Sequence, residues 1–407
     1  MNQPVNWISS VSQPEPKSTD WLTVAQLIFS GFFTFIYGAA AAWLLAFSIP
    51  EIPKVTMADP SFLVSYSLGI SCAILSLFNL ASAYYSGKKL HMGVETIRTE
   101  KRFKLLNGIV GFLPILIIIG VLIFSVEVIR FYLLPILTAL VIVVGVVWLI
   151  RIGSGDGWGA HPQRDSGMFS LMTGFTIWFI MLIEMMALVV IGIILLAGVI
   201  SDPELLKELS SIVTLLQTQT DPTQMMQTLE SIVSIPLLIG LGFLVVAVIM
   251  PIIEELFKTI GVWTLAGRNL TLQEGWVAGL MSGAAFALVE GLFYSVQMVS
   301  LTDPGSWVVA IIGRSGGSLL HTFCGGLIGW AFAKAWQDHK LWRVVGMYAL
   351  VILIHGIWNG LALIPAVNTL GGGSDAAGNL YSLPLVGIMI VLFFTLISKS
   401  RSVANQA

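Results

Sequence analysis

Glu254, Glu255 and Lys258 stand together at the end of a hydrophobic run long enough to cross a bilayer. The next three apolar runs carry Glu290, His321 and His355 in turn. An ionised side chain at membrane depth costs roughly 2.5–3.5 kcal/mol on insertion scales, so a chain that keeps several generally uses them. A carboxylate in a low-dielectric site can take a proton from water. A neutral imidazole or an asparagine amide can donate to a developing oxyanion. Glu255, His321, His355 and Asn359 supply those parts for hydrolysis of a peptide bond. Alternatively, Glu255, His321 and His355 hold zinc, with a metal-bound water as nucleophile. Helical zinc sites more often place two histidines in one H-E-x-x-H turn, and none occurs here. Acidic and histidine relays also serve proton-coupled transport, so that reading stands beside hydrolysis.

Spacing refines the set. Glu254 and Lys258 are four apart, on one helical face and able to pair, which turns Glu255 about 100° away and leaves it free for chemistry. His355 and Asn359 are also four apart, and Arg314 precedes His321 by two turns on one stripe. A rise of about 1.5 Å per residue places Glu255 roughly 12–15 Å from the cytoplasmic end of its helix. The same arithmetic gives roughly 22 Å for Glu290, 20 Å for His321 and 18 Å for His355. Four consecutive helices thus carry ionisable groups in one layer. Pro251 can kink the helix just before the acidic pair. Glycines such as Gly279, Gly283, Gly325 and Gly329 let the next two helices approach their neighbours closely.

The elements that must position these groups are membrane spans. The 407 residues are 56% hydrophobic and 10% charged, with a mean hydropathy of +0.90. A soluble fold of this size would need more polar surface. Cys72 and Cys324 lie inside apolar runs and imply no disulfide framework. Ten apolar segments stand out, at about 22–48, 62–86, 104–125, 130–150, 169–199, 233–263, 275–300, 306–334, 343–366 and 380–398. Strand-like alternation is absent, so all are read as helices. Tryptophans near helix ends, including Trp21, Trp276, Trp307 and Trp342, fit interfacial anchoring.

Basic connections alternate with poor ones. The 87–104 connection carries Lys88, Lys89, Arg98, Lys101, Arg102 and Lys104, whereas 301–305 and 367–379 carry none. The positive-inside rule then puts both termini in the cytoplasm. The polar residues 1–21 form a cytoplasmic tail, 22–199 hold accessory spans one to five, and 367–407 hold the tenth span and a cytoplasmic tail. Residues 200–232 repeat a Ser/Thr-Asp-Pro start and read as an extracytoplasmic amphipathic helical hairpin. The core of the chemistry is 233–366, spans six to nine. Glu184, in span five, reads as an interhelical hydrogen-bonding group.

At these residues the chain resembles the PrsW family of intramembrane proteases, itself similar to the CAAX-processing and bacteriocin-processing membrane protease superfamily. The matching stretches are E-E-L-F-K at 254–258, F-A-L-V-E-G-L-F-Y at 286–294, Arg314 with His321, and H-G-I-W-N at 355–359. The wider superfamily usually has a histidine where this chain has Glu290, and the departure fits the PrsW branch. The resemblance implies that Glu255 activates water, with Glu254 its neighbour, positioned by Lys258. It implies that His321 and His355 bind metal or polarise the scissile carbonyl, and that Asn359 helps form the oxyanion hole. Glu290 and Arg314 would orient the site. Both metal-dependent and glutamate-dependent members are described, so zinc is the cofactor only if a metal is used. The implied substrate is a single-pass membrane protein, such as an anti-sigma factor, and no nucleic acid takes part.

The sequence therefore predicts an all-α polytopic protein of about ten transmembrane helices in the cell membrane, a bacterial plasma membrane. Its predicted activity is intramembrane endopeptidase cleavage at a site open towards the cytoplasm. A proton-coupled transporter and a non-catalytic scaffold binding membrane helices are the alternatives.

Overall fold

A computed structural model describes residues 21–48, 60–93, 111–155, 162–201, scattered positions between 203 and 214, 236–370 and 383–405. All regular elements among them are helical. In chain order these are α1 (Trp21–Ser48), α2 (Pro60–Met92), α3 (Leu113–Ile123), α4 (Glu127–Ser154) and α5 (Pro162–Leu171). A π-helical turn, π1 (Met172–Thr176), leads into α6 (Ile177–Ser201). A second, π2 (Val245–Ile249), joins α7 (Pro236–Leu244) to α8 (Met250–Phe257). Then follow α9 (Ile260–Trp263), α10 (Leu272–Val299), α11 (Pro304–Asp338), α12 (Trp342–Leu370) and α13 (Leu383–Ala404).

Eight described helices are long and apolar enough to cross a membrane. The third expected segment is described as the shorter α3, of 11 residues. The eighth is α11, 35 residues long but rich in glycine and polar side chains. Helix α13 carries the expected C-terminal tail on as helix to Ala404, while the expected N-terminal tail before Trp21 and most of the 200–232 hairpin lie outside the described residues. Those described there, such as Glu204, Leu206 and Ser210, are helical and exposed.

The centre of the bundle is α10, 89% buried in its most apolar window. It starts with a capping box, Thr271 and Glu274 satisfying each other's backbone N–H groups. Its seam with α11 is built without side chains. A methyl on Gly279 would run into the Gly325 carbonyl, and one on Gly283 into the His321 carbonyl. Such spacing brings two backbones into contact, as small residues four apart do between membrane helices.

One end of the bundle gathers basic residues. Lys89 at the end of α2 meets Gln163 of α5, and Arg164 reaches Glu274 of α10 at 3.3 Å. Lys399 of α13 lies over the Trp330 ring of α11 at 3.5 Å. Trp21 and Trp342 are exposed there, as interfacial anchors would be. Trp276 and Trp307 depart from that expectation. Both are fully buried, donating to the Gly153 carbonyl and to Thr138 Oγ1, because an indole N–H inside protein needs an acceptor.

Candidate functional site

The sixth expected span does not run straight through 233–263. It is interrupted by π2, kept short as α8, and closed by the turn before α9. Pro251 sits in the first turn of α8, where its missing N–H costs little. The Val246 carbonyl of the widened turn takes a hydrogen bond from Asn359 Nδ2 at 3.0 Å. Gly356 lets α12 lie against the same turn, since a methyl there would strike the Ala247 carbonyl. The amide expected to face an oxyanion lines the cavity and spends one N–H on the distorted helix.

Helix α8 ends at Phe257, and the Lys258 N–H closes on the Glu254 carbonyl at 2.8 Å. From this capping position the lysine side chain folds back three residues and pairs with Glu255. The expected Glu254–Lys258 pair is not formed: the helical register still reaches Lys258, but its side chain is drawn to Glu255 and His321. Glu255 and Lys258 are both 0% exposed, and charges so removed from water need each other. Lys258 Nζ also lies 3.3 Å from His321 Nδ1.

Glu255 Oε1 accepts a second contact, 2.8 Å from His355 Nδ1. That leaves His355 Nε2 facing Glu254 Oε2 at 3.7 Å. The rings of His321 and His355 stand 4.9 Å apart and nearly perpendicular. His321 Nε2 lies 2.9 Å from Glu290 Oε2, which Arg314 Nη2 reaches at 2.7 Å. Arg314 is further held over the Tyr294 ring at 5.3 Å.

Glu254, His321 and His355 each bring one donor atom within 4.8 Å of the others. The carboxylate that joins the two imidazoles is Glu254, where Glu255 was expected. Glu255 is enclosed by Lys258 and His355 and does not line the cavity, whereas Glu254 does. Two imidazoles and a carboxylate suit zinc, and a carboxylate on the far nitrogen of a ligating histidine fixes its tautomer. Glu255 stands in that relation to His355.

A cavity of about 680 Å³ opens on Glu254, Glu290, His321 and His355. Its walls continue to Gln297 late in α10, Ala310 early in α11 and Leu363 late in α12. The opening therefore lies away from the basic end, opposite to the expected direction. Towards the basic end the glycine seam brings α10 and α11 together, and Thr259 and Tyr348 close the gap with a 2.7 Å hydrogen bond.

Glu184, read as an interhelical polar group outside the matching stretches, stands beside the site. From α6 its side chain interacts electrostatically with Glu290 and Glu254. Its only sequence signal was an acid inside an apolar run.

A family model described as PrsW family intramembrane metalloprotease matches residues 182–396, more than half of the chain. The match takes in Glu184, which the four motifs do not reach. No curated protein and no solved structure matches the chain.

Proposed function

The chain belongs to the PrsW family of intramembrane metalloproteases, and from that premise we propose that it cuts a membrane-anchored protein in the cavity between α8, α10, α11 and α12. Membership of a protease family replaces the transport and scaffold readings. The observation that carries the proposed site is the convergence of Glu254, His321 and His355 on one point of the cavity wall.

These three residues would hold zinc, by the type of their donor atoms. Bound there, the ion supplies a Lewis acid and makes a coordinated water acidic enough to ionise near neutral pH. Glu255 accepts from His355 Nδ1 and fixes that ring, while Lys258 neutralises Glu255. Glu290 is tethered through Oε2 to Arg314 and His321. Its other oxygen takes the proton of the attacking water and returns it to the departing amide nitrogen. Arg314, pinned between Glu290 and Tyr294 on the cavity wall, donates to the carbonyl oxygen as charge builds on it. That role passes to Arg314 because Asn359 is engaged with Val246. The substrate class, a single-pass regulator of the anti-sigma-factor kind in a bacterial plasma membrane, rests on the family resemblance.

The test uses purified protein in liposomes with a membrane-anchored test substrate, measuring bound zinc and cleavage together. Glu254→Gln is expected to lose both. Glu290→Gln is expected to retain zinc and lose cleavage by about 10²-fold or more. Full cleavage by chelator-stripped protein would overturn the metal assignment, and full cleavage by Glu290→Gln would overturn the proton acceptor.

A further inference from the structure

A second cavity, of about 310 Å³, lies at the basic end of the bundle, far from the residues of the proposed protease site. It is bounded by the start of α1, the end of α2, α5 and the turn before α10. Lys89, Arg164 and Arg268 line it from three separate elements, and among the described residues no acidic side chain does. Leu22 and Phe29 of α1 give it an apolar side. The polar floor is a glutamine pair: Gln26 Nε2 donates to the Gln163 carbonyl at 2.9 Å, and Lys89 Nζ donates to Gln163 Oε1 at 3.3 Å. Arg164 is already paired with Glu274 at 3.3 Å. Arg268 is exposed and makes no side-chain hydrogen bond or ion pair among the described residues. Trp21, 74% exposed at the start of α1, marks the level of the membrane interface.

We propose that this cavity binds one anionic phospholipid, with its phosphate against Lys89 and Arg268 and an acyl chain along Leu22 and Phe29. The charge is complementary and the depth is right, since basic pockets between transmembrane helices on the positively charged side take anionic head groups. The apolar wall distinguishes a lipid from a soluble anion, because it has no use for a phosphate without a tail. Lys89 is spread over the glutamine floor as a donor, and Arg268 closes the mouth from the opposite element. The inference is independent of the cleavage chemistry, as none of the proposed metal or proton-transfer residues lines this cavity.

The test is native mass spectrometry of the delipidated full chain in neutral detergent, titrated with phosphatidylglycerol, phosphatidylcholine or glycerol 3-phosphate. One phosphatidylglycerol per chain is expected, held about tenfold or more tighter than phosphatidylcholine, with no displacement by glycerol 3-phosphate. Arg268→Gln should weaken binding about fivefold, and Lys89→Gln with Arg268→Gln about 25-fold. Lys340→Gln, at the same end but outside the cavity, should leave it unchanged. Should the double variant melt early without lipid, the exposed Arg268→Gln alone decides. Equal retention of both lipids, or undiminished binding by Arg268→Gln, would overturn the proposal. Competition by glycerol 3-phosphate would identify a soluble-anion site and overturn it too.

Discussion

Glu255 and Lys258 are both fully buried, so each is tolerable only while the other is present. Lys258→Met should therefore destabilise the protein by about 3–5 kcal/mol, whereas adding Glu255→Gln should recover part of that loss. Thermal unfolding in detergent measures both, and a double variant no better than the single would refute the pairing. Asn359→Leu should cost about 1–3 kcal/mol by stranding the Val246 carbonyl. Lost cleavage with unchanged melting would instead return Asn359 to the oxyanion role. The ionisable layer itself was legible from sequence: Glu255, Glu290, His321 and His355 do meet. Their pairing was not, because helical spacing allows Lys258 to reach either Glu254 or Glu255, and contacts from other helices, His355 on Glu255 and His321 beside Lys258, accompany the choice of Glu255. The contact of Asn359 with the Val246 carbonyl was not legible either, since it depends on how α12 packs against π2.

Elements were read well where hydropathy speaks and poorly where backbone geometry does. The apolar runs around α1, α2, α4, α10 and α13 were plain from composition. Neither π-helical turn had a signature, as a π turn differs from its neighbours by one inserted residue rather than by residue type. The glycines of α10 and α11 announced a close approach, and the seam bears this out at Gly279, Gly283, Gly325 and Gly329. Gly283→Ala should displace the His321 backbone and reduce cleavage about tenfold or more, since small misplacements at a reacting centre are costly. Gly346→Ala on α12 points into open space and should leave cleavage and melting unchanged. Equal behaviour of the two variants in a cleavage assay would refute the seam as a positioning device.

At the scale of the molecule, the charge pattern identified the basic end but not the mouth of the cavity. Loop lysines report which side of the membrane a helix end occupies, and they carry no information about where helices diverge. With Cys72 and Cys324 replaced, Gln297→Cys and Leu363→Cys should react with a membrane-impermeant maleimide added on the side opposite the basic loops. Labelling only from the basic side would refute the orientation. Glu184 was read from sequence as an interhelical polar group, but that it faces Glu254 and Glu290 became visible only in three dimensions. The backbone-to-backbone fit of α10 and α11 also separates what can vary in this enzyme from what cannot. Attempts to retarget it to another substrate should randomise the facing wall, Val246, Met250, Ala362 and Leu363, and leave the glycine pair of helices alone.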